Sequence, residues 1–259
     1  MLALEGLHLG FAGAPVLADI HLQVRAGEIV VLLGPSGCGK TSLLRVAAGL
    51  ETPQAGRVAN GFSRTAMVFQ EPRLLPWADA CENAAFGLKA RGLERAPRRT
   101  AAGAILARFG FSPADLARMP AELSGGMQQR VAIARAFALE PELVLMDEPF
   151  SALDVGLRAD LQGLLRAEVE GMGAAVLFVT HDIIEAVRLA DRIVVFSPRP
   201  AQVVANLPHV PLRREAAPGA VFEAAAALLR RPEVAGALAP AGAGQPLRAP
   251  LPEPLPVGP

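Results

Sequence analysis

Apolar and polar positions alternate along the first part of this chain and then stop alternating. Leu7, Leu9 and Phe11, followed by Ile20, Leu22 and Val24, recur with a period of two, the pattern of antiparallel strands with one buried face. Further on come unbroken apolar runs: EIVVLL (28–33), LVLM (143–146), AVLFVT (175–180) and RIVVF (192–196). Such runs suit parallel strands covered on both faces. Between them, Leu157, Leu161, Leu164, Leu165 and Met172 fall on one stripe of a 3.6-residue helix. Alternation of strands and helices predicts an α/β sheet. Residues 76–140 carry almost no strand pattern and several alanine-rich stretches, and are expected to form a helical insertion. Beyond Pro200 the alternation ends, leaving one short helical candidate at 221–231. The last twenty residues, 240–259, include seven prolines and predict a disordered or extended tail.

Chemistry concentrates where the apolar runs end. GPSGCGKT follows the first run and opens TSLLRVAAGL, so the G-x-x-x-x-G-K-[ST] pattern sits between a strand and a helix. There Gly34, Pro35, Ser36, Gly37, Cys38 and Gly39 would form a loop whose backbone N–H groups, absent only at Pro35, close around phosphate groups. Lys40 would reach the β/γ oxygens, Thr41 would offer a hydroxyl to Mg²⁺, and Ser42 would continue the cradle. Cys38 fills a free position of the motif, which fits a backbone-wrapped thiol better than a catalytic one. LVLMDEP places Asp147 and Glu148 at the end of a second run, on the strand edge where open α/β sheets bind ligands. Asp147 is placed to hold Mg²⁺ through water, and Glu148 to polarise an attacking water. His181 ends a third run. It either meets a γ-phosphate or serves as a residue at the start of the next helix. His8, His21 and His209 show no constellation.

AELSGGMQQRVAIARA (121–136) raises a question of its own. Ser124, Gly125 and Gly126 stand where an amphipathic helix begins, with unpaired amides and the positive end of the helix dipole. The chain thus carries a second anion site besides its phosphate loop.

Composition narrows the setting. With 259 residues, 52% of them hydrophobic, the chain can bury a full core. Its net charge of zero and pI of about 6.9 provide no field to recruit nucleic acid or acidic lipid. Two cysteines, Cys38 and Cys81, fit a reducing compartment without a disulfide framework. The opening MLALEGLHLG lacks the pattern of a signal peptide. No apolar run approaches the ~20 residues of a membrane span, so any membrane role is expected to be peripheral. Of 25 basic residues only Lys40 and Lys89 are lysines. A lysine kept inside the glycine loop points to a site that needs a compact ammonium.

Taken together, the phosphate loop, LSGGMQQR, LVLMDEP, SALD and THD resemble, in order and spacing, the ATPase subunits of ABC transporters over residues 1–200. VFQEPRLLPWADACENAAFGL (68–88) is similar to the glutamine loop and following helix of the nitrate, taurine and aliphatic-sulfonate importers. Met127 stands where the family most often has glutamine. The resemblance implies an α/β P-loop NTPase (RecA-like) core with an N-terminal antiparallel β-subdomain and an inserted helical signature subdomain at about 76–140. The cassette would span 1–200, with an extension at 201–239. It implies ATP and Mg²⁺ as ligands, with Gln70 touching Mg²⁺ and water and reporting nucleotide state. Phe11 would stack on adenine where the family usually has tyrosine, or else continue the buried face of Leu7 and Leu9. Ser124, Gly125, Gly126 and Gln128 of the signature, with Asp154, would meet the nucleotide across an interface. Trp77 would receive a membrane subunit or belong to the helical core.

The second anion site then has an owner. A two-fold, head-to-tail dimer would let each signature helix cap the γ-phosphate held by the other chain. The partners implied are a second copy, integral-membrane permease subunits and, through them, a solute-binding protein, at the cytoplasmic face of a bacterial inner membrane. Repair ATPases carry long coiled coils between loop and signature, and translation ATPases carry two cassettes. Here about eighty residues separate Lys40 from Ser124 in one cassette. An exporter ATPase would normally be fused to membrane helices or lack the LLPW segment, and a non-hydrolysing regulatory module would often lack Glu148. The transported solute is not written in this chain.

Overall fold

The computed structural model describes residues 1–151, 153, 155–212 and 216–239. The unbroken apolar runs become strands buried on both faces, and their alternation sorts two cores onto opposite sides of one sheet. Strands β3 (Ile29–Leu33), β6 (Leu143–Asp147), β7 (Ala175–Thr180) and β8 (Arg192–Phe196) join β5 (Thr65–Val68) and β9 (Val203–Pro208). The spatial order is β5-β6-β7-β3-β8-β9. Neighbours are parallel except for β9, which returns antiparallel beside β8.

Ile29, Val31, Leu33, Val144, Met146, Val176 and Phe178 face one core with the helices. Val30, Leu32, Leu143, Leu145, Leu177 and Val179 face the other. That second core is closed by α1 (Lys40–Ala47) and by a separate antiparallel sheet, β2-β1-β4. This sheet comprises β1 (Leu2–Phe11), β2 (Ala14–Val24) and β4 (Ala55–Asn60). Leu7, Leu9, Ile20, Leu22 and Val24 are buried there, whereas Phe11 is 46% exposed. The period-two face therefore ends before Phe11, where the chain turns into β2.

Between β5 and β6 the described chain is helical. It holds α2 (Ala80–Ala85), α3 (Arg95–Arg108) and α4 (Gly125–Phe137) with intervening 3₁₀ turns. After β6 come α5 (Val155–Met172) and α6 (Ile183–Leu189). The region beyond Pro200 departs from the single helix expected there. It adds β9 and two helices, α7 (Pro218–Leu229) and α8 (Pro232–Leu238). β9 hides from pattern reading because it is an edge strand with only Ala205 buried. The tail expected at 240–259 lies outside the described residues.

Candidate functional site

The parallel strands β3, β5, β6, β7 and β8 deliver their carboxyl ends to one edge of the sheet, the edge at which such sheets hold ligands. After β3 the chain turns through Gly34–Gly39 into α1. Gly39, the residue preceding that helix, has φ of 126°, and a Cβ there would lie 3.0 Å from Leu17 Cδ2 and from Val16 Cγ1. Both conformation and space demand glycine. No side chain caps the helix start, so its amides remain free to meet an anion. Lys40 is buried, and its Nζ donates to Gly34 O at 2.8 Å and Pro35 O at 2.9 Å. Cys38 is buried beneath the loop, and that burial pushes its thiol up. This is an inert, wrapped cysteine.

β6 brings up the acidic side. Thr41 Oγ1 donates to Asp147 Oδ1 at 2.9 Å. Burial raises the Asp147 carboxyl above its ordinary range, and the charge of Glu148 pushes the same way. A hydroxyl and a buried carboxylate side by side, with a second carboxylate next in sequence, form the hard-oxygen set that suits Mg²⁺. The residues fit that ion. Glu148 itself sits at φ of 43°, a conformation costing about 1–3 kcal/mol in a residue with a side chain. Its N–H donates to Val179 O at 3.0 Å, and Ser151 Oγ donates to its carbonyl at 3.0 Å. Beside it, His181 Nδ1 lies 2.9 Å from Glu148 Oε2. An ionised carboxylate only accepts, so the proton of a neutral imidazole belongs on Nδ1 and Nε2 is left with the lone pair. Ser36, Gly37, Lys40, Thr41, Ser42, Gln70 and Glu148 line one cavity of about 310 Å³.

The turn that carries His181 is braced from below. Thr180 Oγ1 donates to Glu185 Oε2 at 2.6 Å, and Asp182 N donates back to Thr180 Oγ1 at 2.9 Å. Asp182 caps α6 through Ile184 N at 2.7 Å and accepts from Arg158 of α5 at 2.8 Å. Glu185 is 3% exposed, and burial raises its carboxyl to about 7. Between its unfolded value near 4.5 and 7, the folded chain binds more protons than the unfolded one, so stability falls as pH rises through that window. Glu185→Gln removes the loss. Its stability is expected to gain on the wild type from pH ~4.5 to ~7, by on the order of 3 kcal/mol, and to hold level above, with the melting temperature following. Thermal scans at several pH values would show a flat difference if Glu185 titrated normally.

The signature segment lies elsewhere. Ser124 caps α4 by accepting from Met127 N at 3.3 Å. A Cβ on Gly126 would come within 2.6 Å of Leu157 Cδ2 on α5, so the helix start is packed against α5. Gln128 Nε2 donates to Pro120 O and Leu123 O at 3.0 and 3.2 Å, bracing the loop before the helix. None of Ser124, Gly125, Gly126 and Gln128 lines the cavity of the phosphate loop. Asp154 falls outside the described residues. Trp77 is 74% exposed, so it is a surface residue rather than part of the helical core.

Three residues escaped pattern reading. Gln129 Nε2 donates to Phe69 O at 3.3 Å, while Arg135 donates to Pro72 O and Arg73 O at 2.8 and 2.9 Å. Together they hold the chain on both sides of Gln70 against the signature helix. Their signal was the amphipathic spacing of α4, which marks a buried face without saying what it meets. The third, Arg199, lines the phosphate-loop cavity from the turn after β8, where no motif announces it.

Comparison with known proteins places the whole arrangement. The family model described as ABC transporter matches residues 17–151. Taurine import ATP-binding proteins are similar over most of their length. That of Yersinia pestis is 44% identical over 214 residues, covering 80% of this chain and 84% of the relative. That of Escherichia coli K12 is 42% identical over 215 residues with the same coverage. That of Chromobacterium violaceum is 46% identical over 200 residues, covering 74% and 76%. Among solved structures, a dimeric ATP-binding cassette in a post-hydrolysis state bound to ADP and Pi superposes with a TM-score of 0.74. It is 29% identical and covers 82% of this chain and all of that one. With a strand-to-helix phosphate loop, paired carboxylates at the end of β6 and these relatives, the chain belongs to the ABC transporter family as one of its ATP-hydrolysing cassettes.

Proposed function

We propose that this cassette energises a bacterial importer for a small sulfonate of the taurine type, acting as a head-to-tail dimer on membrane permease subunits fed by a solute-binding protein. The observation that carries the nucleotide chemistry is the gathering of Lys40, Thr41, Gln70 and Glu148 round one cavity. In this reading the N–H groups of the 34–39 loop, which Pro35 alone lacks, and those of the α1 start bind the phosphate chain, with Lys40 on the β/γ oxygens and Ser42 beside them. Phe11, exposed at the end of β1, offers its ring to adenine. Thr41, Asp147 and Gln70 hold Mg²⁺, which when bound neutralises charge on the phosphates. Glu148 takes the proton of the attacking water, held in place by its contact with His181 Nδ1; only an imidazole protonated at both nitrogens, donating from Nε2, can also meet the γ-phosphate. Ser124, Gly125, Gly126, Gln128 and Asp154 serve the nucleotide of the partner copy. The γ-phosphate then joins two chains, and its loss lets them part.

Among the described residues no helix is long and apolar enough to cross a membrane, which fits a peripheral subunit on the cytoplasmic face. Trp77, with Phe86 at 55% exposure, flanks a groove on the helical insertion that supports docking of a permease helix. The solute is supported by the taurine import relatives. Proteoliposomes assembled with the cognate permeases and binding protein would test it. ATP-dependent uptake of taurine, in excess of nitrate, is the expected result, and preferential nitrate uptake would overturn the substrate assignment.

A further inference from the structure

Resting on the nucleotide reading of the phosphate loop, we infer that Arg199 is a second cation of the nucleotide site, gripping the phosphate chain from the cavity that the buried Lys40 also lines. The turn that carries Arg199 is built into the same floor as the phosphate loop. Ala201 N donates to Val16 O at 2.8 Å, and Ala18 N donates to Ala201 O at 3.0 Å. Val16 and Leu17 are the two side chains against which Gly39 packs. Ser197 ties the turn from inside, its Oγ accepting from Gln202 N at 3.0 Å while its N–H donates to Gln202 O at 3.0 Å. A backbone held at both ends delivers an exposed guanidinium to the cavity that Ser36, Gly37 and Lys40 also line.

Three features point the guanidinium at a phosphate. Among the described residues no carboxylate pairs with Arg199, unlike Arg158, Arg166 and Arg192 on neighbouring elements. Its charge acts, along with that of Lys40, on the Cys38 thiol inside the loop, so it is close enough to act on an anion seated there. A chain of zero net charge has no long-range field to attract a polyanion, so local cations decide its affinity. Lys40 supplies a buried point charge. Arg199 adds a planar fork that matches two phosphate oxygens at once and that solvent reaches, so salt screens it.

Calorimetric titration of the full chain with ADP, AMP and adenosine, at low and at high salt, tests this. Arg199→Ala is expected to weaken ADP about fivefold at low salt, the size of one favourable exposed ion pair. The deficit should shrink at high salt and vanish for adenosine. Arg199→Lys should recover part of it, because the charge remains while the fork is lost. Unchanged ADP affinity in Arg199→Ala, or an equal loss for adenosine, overturns the inference while leaving the nucleotide reading intact. A wild-type chain that binds neither ADP nor ATP overturns both.

Discussion

Glu148→Gln is expected to keep ATP binding and lose hydrolysis by about 10²–10⁴-fold, the usual contribution of a general base. The amide has nearly the shape of the carboxylate but cannot take a proton from water. The backbone should not respond, because the positive φ at residue 148 is fixed by bonds of its own N–H and C=O to Val179 and Ser151. The γ-phosphate then persists and the variant should accumulate as an ATP-bound dimer, read by size exclusion with ATP and Mg²⁺. Wild-type turnover in this variant would remove Glu148 from the role of base. Retained turnover would also leave the His181 contact at 2.9 Å without a catalytic reason.

Lys40→Ala should abolish productive ATP binding. The Lys40 ammonium, held by the carbonyls of Gly34 and Pro35, is buried in the loop, and among the described residues no other buried cation lines that cavity. Lys40→Arg should fare little better. A planar guanidinium is bulkier, and its fixed fork cannot serve two carbonyls and a phosphate from the position of a compact ammonium. Filter binding with labelled ATP would report both variants. Normal turnover by Lys40→Arg would sink the argument that this loop selected lysine in a chain otherwise rich in arginine.

The chain wrote some of this plainly and hid the rest for physical reasons. The central strands were legible because both faces are buried, so every position must be apolar. For the same reason their ends could be located, and with them Lys40, Asp147, Glu148 and His181. β4 and β5 were missed. β4 lacks a single buried residue and β5 is four residues long, so neither has a hydrophobic period to read. Phe11 extends the alternation on paper because a period of two carries no mark for where the strand leaves the core. Arg199 was invisible for a different reason. Its place at the cavity comes from the pairing of Ala201 with Val16 and Ala18, a contact between segments far apart in sequence. Gln129 and Arg135 likewise acquire their jobs from tertiary contacts with the chain around Gln70.

The central claim is that Ser124–Gly126 of one chain completes the site whose phosphate loop belongs to the other. Their absence from the lining of their own chain's cavity motivates it. The most direct measurement mixes two inactive variants, Lys40→Ala and Ser124→Arg, and counts trapped nucleotide per verified mixed dimer. If sites are shared, both lesions fall in one composite site, and the other has an intact loop and an intact signature. Trapping should then recover to at most one nucleotide per dimer. If each chain completes its own site, every site keeps one lesion, mixing restores nothing, and the account is contradicted.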